Sequence, residues 1–221
     1  MAAPVNKFKA ALAQKRCLSA CWLGMADTYV AEMAGKTGWD MLVVDGEHAP
    51  NDIRSIMDQL QVLEQCDSHV MVRLPVGQTH LIKQALDIGA QTLLIPMVES
   101  KAQAQDLAAA MRYAPQGERG VGAALARASG FNSRTDYFET ANDQMCLFVQ
   151  IETVAGLDAL DDILTVDGVD GIFIGPADLT ADMGHGSDYG HAEVRQATAQ
   201  ALAKSQAAGK FSGILTLDHS Y

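Results

Sequence analysis

The chain alternates short apolar runs with longer stretches of helical periodicity. The runs occupy residues 18–23, 41–44, 70–74, 92–97, 146–151, 171–174 and 211–215. Each is rich in Val, Ile, Leu or Met, the pattern of strands buried on both faces. Residues 120–125 form a weaker eighth run, whose glycines predict a short or irregular strand. Between the runs, residues 51–65 place Ile53, Ile56, Leu60 and Leu63 on one helical face. Residues 27–37, 79–88, 100–113, 153–164 and 191–208 read as further helices, two of them ending at Gly38 and Gly89.

Strand, helix, strand, repeated about eight times, predicts parallel pairing with right-handed crossovers. Such a chain forms either an open doubly wound sheet or a closed (β/α)8 barrel. Eight strands favour the α/β TIM barrel. After residue 215 only six residues remain, too few for an eighth helix. Either the chain is cut short there, or another subunit covers apolar barrel surface that would otherwise meet water. No linker or low-complexity tract divides residues 1–221, which read as a single barrel domain.

Composition narrows the function. Apolar residues make up 48% of 221, which excludes a disordered chain. The net charge of −11 disfavours nucleic-acid partners. No apolar run approaches the ~18 residues that span a membrane, and residues 1–16 hold no secretory core. Cys17, Cys21, Cys66 and Cys146 form no CxxC pair. Cys21 and Cys146 lie in apolar runs and read as buried thiols. A disulfide framework fits poorly, so a reduced cytoplasmic compartment is expected.

In a barrel or a wound sheet, reactive residues gather at the carboxyl ends of the strands. The polar residues there are Asp45, Glu47 and His48 after the second run, Arg73 in the third, Gln150 and Glu152 at the fifth, and Asp178 after the sixth. Glu152 and Asp178 end consecutive strands, which lie ~4.8 Å apart. Two hard oxygen ligands suit Mg²⁺ or Mn²⁺. The plainer reading makes each carboxylate a helix or turn cap. His48 sits among carboxylates, where an imidazole serves as a general base near neutral pH; as a plain loop residue it would only cap the next helix. Asp87 ends a helix from which it would orient an imidazole. Arg73 needs an anion, either a mouth carboxylate or a substrate group. The substrate is preferred because carboxylates already crowd that end. The turn Gly175-Pro176-Ala177 leads into a helix whose free N–H groups suit a small carboxylate. His69, His80, His185, His191 and His219 read as structural or surface groups. No lysine follows a predicted strand, so a Schiff base lacks its nucleophile. Neither GxSxG nor a GxGxxG after the first strand occurs.

The segments VVDGEHAPND (43–52), VRLP (72–75), IPMVES (95–100), RGVGAALARAS (119–129), VQIET (149–153) and GPADL (175–179) closely resemble the HpcH/HpaI aldolase family. The resemblance runs from about residue 8 to the end, and its motifs are ordered and correctly spaced. It implies a metal-dependent class II pyruvate aldolase of the 4-hydroxy-2-oxoheptanedioate aldolase type. The metal carboxylates match Glu152 and Asp178, holding Mg²⁺, Mn²⁺ or Co²⁺. The base matches His48, with Asp45 nearby and Asp87 as the orienting carboxylate. Arg73 matches the arginine that stabilises an enolate. The resemblance places Gln150 beside the metal and the substrate carboxylate on the backbone of Pro176, Ala177 and Asp178. Ala124 and Arg127 fall in the segment that the family uses around the aldehyde pocket, partly from a neighbouring subunit, and Leu215 is grouped with the substrate-binding residues. The family assembles as hexamers with an exchanged C-terminal helix, before which this sequence stops. The implied reaction is aldol addition or cleavage between pyruvate or hydroxypyruvate and an aldehyde. Its rivals are a CoA-thioester lyase of the citrate lyase or malyl-CoA lyase type and a non-catalytic 2-oxo acid binder.

Overall fold

The computed structural model describes residues 1–14 and 16–216; Lys15 and His219 fall outside it. Seven strands form one sheet in chain order: β1 (Ala20–Leu23), β2 (Met41–Asp45), β3 (His69–Arg73), β4 (Thr92–Ile95), β5 (Cys146–Ile151), β6 (Gly171–Ile174) and β7 (Phe211–Ile214). The expected closed barrel of eight strands is therefore corrected to an open sheet of seven. The missing strand is the run at 120–125. It forms instead two single 3-10 turns, Ala123–Leu125 and Arg127–Ser129. The physical reason lies in its residues. Gly120 and Gly122 offer nothing to pack, and Val121 and Leu125 are 68% and 87% exposed, whereas an inner parallel strand must be covered on both faces.

The chain falls into two compact units. The first comprises Met1–Leu93 and Ala109–Cys146; the second comprises Leu94–Ala108 and the chain from Leu147 on. In the first, β1, β2 and β3 pair in parallel, with Leu23 opposite Val44 and Asp45 opposite Arg73. Leu42, Val43 and Val44 are fully buried, and each such side chain stabilises the fold by about 1.5–3 kcal/mol before entropy is counted. The helices here are α1 (Lys7–Leu12), α2 (Thr28–Ala34), α3 (Ile53–Leu63) and α4 (Thr79–Asp87). α3 starts at Asp52, which with Ser55 forms a reciprocal capping box. Its buried face is Ile56, Gln59, Leu60 and Leu63, close to the predicted stripe. The N-terminal arm is tied down by Asn6. Its side chain donates to the Gln144 carbonyl at 2.9 Å and to Thr92 Oγ1 at 3.1 Å.

The helices α5 (Lys101–Met111) and α6 (Tyr137–Gln144) come next in the chain. In the second unit β5, β6 and β7 are parallel, with Ile151 opposite Ile174 and Ile174 opposite Ile214. The predicted helix at 153–164 is divided into α7 (Val154–Asp158) and α8 (Leu160–Leu164). α9 (Pro176–Asp182) follows β6 at once, and α10 (Ala192–Ala207) lies within the predicted 191–208. None of the four cysteines forms a disulfide; Cys146 is buried as expected, but Cys21 is only half-buried. No helix among the described residues is long and apolar enough to cross a membrane.

Candidate active site

In the first unit the carboxyl ends of β2 and β3 build an ionic cluster. The parallel register sets Asp45 beside Arg73. Arg73 Nε donates to Asp45 Oδ1 at 2.8 Å and Nη2 to Oδ2 at 2.6 Å, a bidentate fork. Its third nitrogen, Nη1, lies 2.9 Å from Glu47 Oε2. The guanidinium also stands 5.3 Å from the centre of the Trp22 ring. Arg73 and Asp45 are both buried. The arginine is thus engaged by strand-end carboxylates, not left open for a substrate anion as the sequence reading preferred.

The loop after β2 is fastened at several points. Gly46 N donates to the Arg73 carbonyl at 2.8 Å. A Cβ at Gly46 would meet that oxygen at 2.7 Å, so the approach needs glycine. Asp45 Oδ1 accepts the Glu47 N–H at 3.0 Å and the His48 N–H at 3.4 Å. Asn51 Nδ2 donates to the Asp45 carbonyl at 2.8 Å. Burial alone would raise the Asp45 pKa. The Arg73 fork and the loop N–H groups outweigh it and hold the carboxyl below its usual value. His48 ends this arrangement with its side chain 66% exposed and Nε2 3.9 Å from Glu47 Oε2. An exposed imidazole beside a carboxylate is equipped to exchange protons.

In the second unit the carboxyl end of β5 carries a different arrangement. Glu152 is 3% exposed. Its Oε1 accepts the Met97 N–H at 2.8 Å, and its Oε2 accepts Gln150 Nε2 at 2.6 Å. Met97 reaches this position with φ of 56°, left-handed backbone that is uncommon outside glycine. A Cβ on Gly175 would overlap the Glu152 carboxylate, so the turn after β6 closes over Glu152 only because residue 175 is glycine. Gln150 Oε1 is buried without a hydrogen-bond partner among the described residues. Flipping the amide would not relieve it, because the carbonyl would then face the Glu152 carboxylate. Asp178, in the first turn of α9, is exposed, and its carboxylate has no hydrogen bond or ion pair among the described residues. Neither acid serves as a cap. Thr153 caps α7 by accepting the Gly156 N–H, and α9 has no side-chain cap.

The other expected site residues are placed as follows. Asp87 Oδ1 accepts Arg119 Nη2 at 2.7 Å, and Arg119 stacks over the Tyr113 ring at 4.4 Å. Arg127 donates to the Ile88 carbonyl at 3.0 Å and to Glu64 at 2.5 Å. It lines a cavity of about 420 Å³ together with His69 and Thr92, which start their strands. That is the opposite end from the Asp45 cluster. Ala124 is exposed in the first 3-10 turn, Pro176 and Ala177 begin α9, and Leu215 is 40% exposed just past β7. Sequence reasoning missed Met97 and Trp22. Trp22 was discoverable, because aligning the predicted strands sets it level with Val43 and so beside the strand ends. Nothing in the composition of 95–100 signals a left-handed methionine.

Comparison with known proteins decides the kinship. Residues 18–220 match the HpcH/HpaI aldolase/citrate lyase family. The chain belongs to that family. It is 61% identical over 218 residues to a hydroxypyruvate/pyruvate aldolase of Roseovarius nubinhibens, covering 99% of this chain and 85% of that protein. It is 50% identical over 210 residues to a 4-hydroxy-2-oxo-heptane-1,7-dioate aldolase of Salmonella dublin, covering 95% and 80%. A crystal structure of an HpcH/HpaI aldolase/citrate lyase family protein from Burkholderia cenocepacia superposes with a TM-score of 0.94 at 37% identity, covering 98% of this chain and 86% of that one. The family expectation drawn from the motifs is met, and with it the class of carbon–carbon lyases.

Proposed function

We propose that this family member is a divalent-metal-dependent aldolase that joins and cleaves a 2-oxo acid, hydroxypyruvate or pyruvate, and an aldehyde. The observation that carries the reading is the strand end at Glu152. A buried carboxylate is aimed by two N–H donors beside a buried amide oxygen that lacks a partner, and Asp178 is left unpaired. This donor set is all oxygen, which fits a hard cation such as Mg²⁺, Mn²⁺ or Co²⁺, held by Glu152 and Asp178. When bound, such an ion polarises the carbonyl of the 2-oxo acid and acidifies the neighbouring carbon.

The rest of the work falls to the chain's own groups. The N–H groups of Ala177 and Asp178 receive the substrate carboxylate, and Leu215 joins the substrate-binding set. Ala124 and Arg127 are assigned to it by family resemblance, partly from a neighbouring subunit, since within this chain Arg127 lines the cavity at the other end of the strands. His48 takes the proton from the carbon next to the ketone and returns it in the reverse direction. Glu47, 3.9 Å away, steadies the imidazolium that forms. Arg73 supplies fixed positive charge as the carbanion develops, and Asp45 holds that guanidinium by its fork. The assignment of Asp87 to orienting the base rests on family resemblance alone, since within this chain its carboxylate accepts from Arg119. The reading covers residues 1–221 as one aldolase domain acting as a cytoplasmic homo-oligomer, a hexamer by family resemblance. No specific observation favours the CoA-thioester alternative.

The test is retro-aldol turnover of the chelated protein with and without added Mn²⁺. Activity should vanish on chelation and return on add-back, and Glu152→Ala should not respond. Full turnover by the metal-free protein contradicts the reading.

A further inference from the structure

A second set of ligating side chains lies away from the strand ends. His185, His191 and Glu193 meet where the turn after α9 reaches the start of α10, and one ligand atom from each lies within 4.8 Å of the others. His185 Nε2 is 3.0 Å from Glu193 Oε2. The two imidazoles stack with centroids 3.6 Å apart and planes 17° apart. His191 also caps α10 through its Nδ1, which accepts the Glu193 N–H at 3.4 Å. That bond is at the weak limit, so the ring can turn. His185 is flanked by Gly184 and Gly186, both left-handed, which fold the turn back and bring its imidazole over His191.

The chemistry of the set differs from that of Glu152 and Asp178. Two imidazoles and one carboxylate suit Zn²⁺, Ni²⁺ or Cu²⁺, whereas oxygen ligands alone suit Mg²⁺ or Mn²⁺. Zinc bonds of ~2.0–2.2 Å bring neighbouring donors to roughly 3.3 Å of each other in a tetrahedron. One pair is already at 3.0 Å. Parallel rings do not converge their lone pairs, so the stack must tilt open. All three residues reach the surface, and side-chain rotation is enough. Three protein ligands leave the fourth position to water.

We propose that His185, His191 and Glu193 form a transition-metal site of the Zn²⁺ type, separate from the strand-end carboxylates, that ties the turn after α9 to the start of α10. The measurement is calorimetric titration of Zn²⁺ into the full chain in excess Mg²⁺, which keeps the oxygen ligands occupied. One equivalent of Zn²⁺ should bind. Loss of an outer-shell partner weakens a metal site roughly 10–100-fold, so His185→Ala, which removes a ligand, should lose that equivalent outright. Mg²⁺-supported aldol turnover should be unchanged in the same variant. Glu193→Gln should act in the same direction, and it decides the matter if His185→Ala fails to fold, since the Glu193 side chain is 68% exposed. Zn²⁺ binding of equal stoichiometry and affinity in wild type and both variants overturns the proposal, as does no Zn²⁺ uptake by wild type. The readout is metal uptake, so it stands or falls apart from the aldolase reading.

Discussion

The two strand-end clusters use similar residues to opposite ends. At β2 and β3 charge is satisfied inside the protein: Arg73 spends all three nitrogens on Asp45 and Glu47, and the loop N–H groups of Glu47 and His48 converge on Asp45 Oδ1. At β5 and β6 capacity is left over. Glu152 is aimed but Gln150 Oε1 has no partner, and Asp178 is unpaired among the described residues. A saturated cluster positions charge; an unsaturated one binds something. Buried polar groups left unpaired cost about 1–3 kcal/mol each, so the second cluster is maintained against stability, as expected of a ligand site.

Breaking the unsaturated cluster should have the largest effect on activity. Glu152→Ala should lower retro-aldol turnover by at least about 10²–10³-fold. It also leaves the Met97 N–H and Gln150 Nε2 without their acceptor, which should cost about 1–3 kcal/mol each, so turnover is compared per folded molecule. A collapse of stability with activity per folded molecule intact would reverse the comparison. His48→Gln should follow, with a loss of roughly 10²–10⁴-fold in turnover. Because the side chain is exposed, stability should change by no more than about 0.5 kcal/mol in urea unfolding.

The saturated cluster should answer in stability first. Asp45→Ala strands a buried guanidinium that keeps only Glu47, and breaking such a pair costs about 3–5 kcal/mol, measurable by denaturant unfolding. Gly46→Ala pushes a methyl against the Arg73 carbonyl and should cost about 1–3 kcal/mol. The smallest effect is in pH. Asp45 has a lowered pKa in the native state, so its contribution is present above its unfolded value, ~3.9. That contribution is lost as pH falls through the lower native value. Asp45→Asn should flatten the acid limb of the stability profile; an unchanged limb would mean that the fork carries no net stabilisation.

The contrast also explains what the sequence made legible. Fully buried strands announce themselves, and residues such as Leu42–Val44 or Leu93–Ile95 were located by apolar runs alone. Glu152 and Asp178 are visible because one directly follows such a run and the other comes four residues after the end of one. The eighth strand failed because an apolar run containing Gly120 and Gly122 resembles a strand whether or not anything covers Val121 and Leu125, and covering is a tertiary fact. The preference of Arg73 for Asp45 over a substrate was hidden in the register of two strands 28 residues apart. Asp87 was expected near an imidazole, but its partner Arg119 comes from a stretch with no regular periodicity. In the sequence His185 and His191 read as structural or surface groups, because their meeting depends on two left-handed glycines.

The central claim is that Glu152 and Asp178 hold one hard divalent cation on which turnover depends. Mn²⁺ titration of the His185→Ala protein, with binding and retro-aldol activity followed together, tests it most directly, since that background breaks the His185–His191–Glu193 cluster and leaves both strand-end carboxylates. The account predicts one Mn²⁺ per chain, activity rising in step with occupancy, and loss of both when Asp178→Asn is added. Unchanged Mn²⁺ uptake in that double variant, or full turnover before any Mn²⁺ is bound, contradicts it.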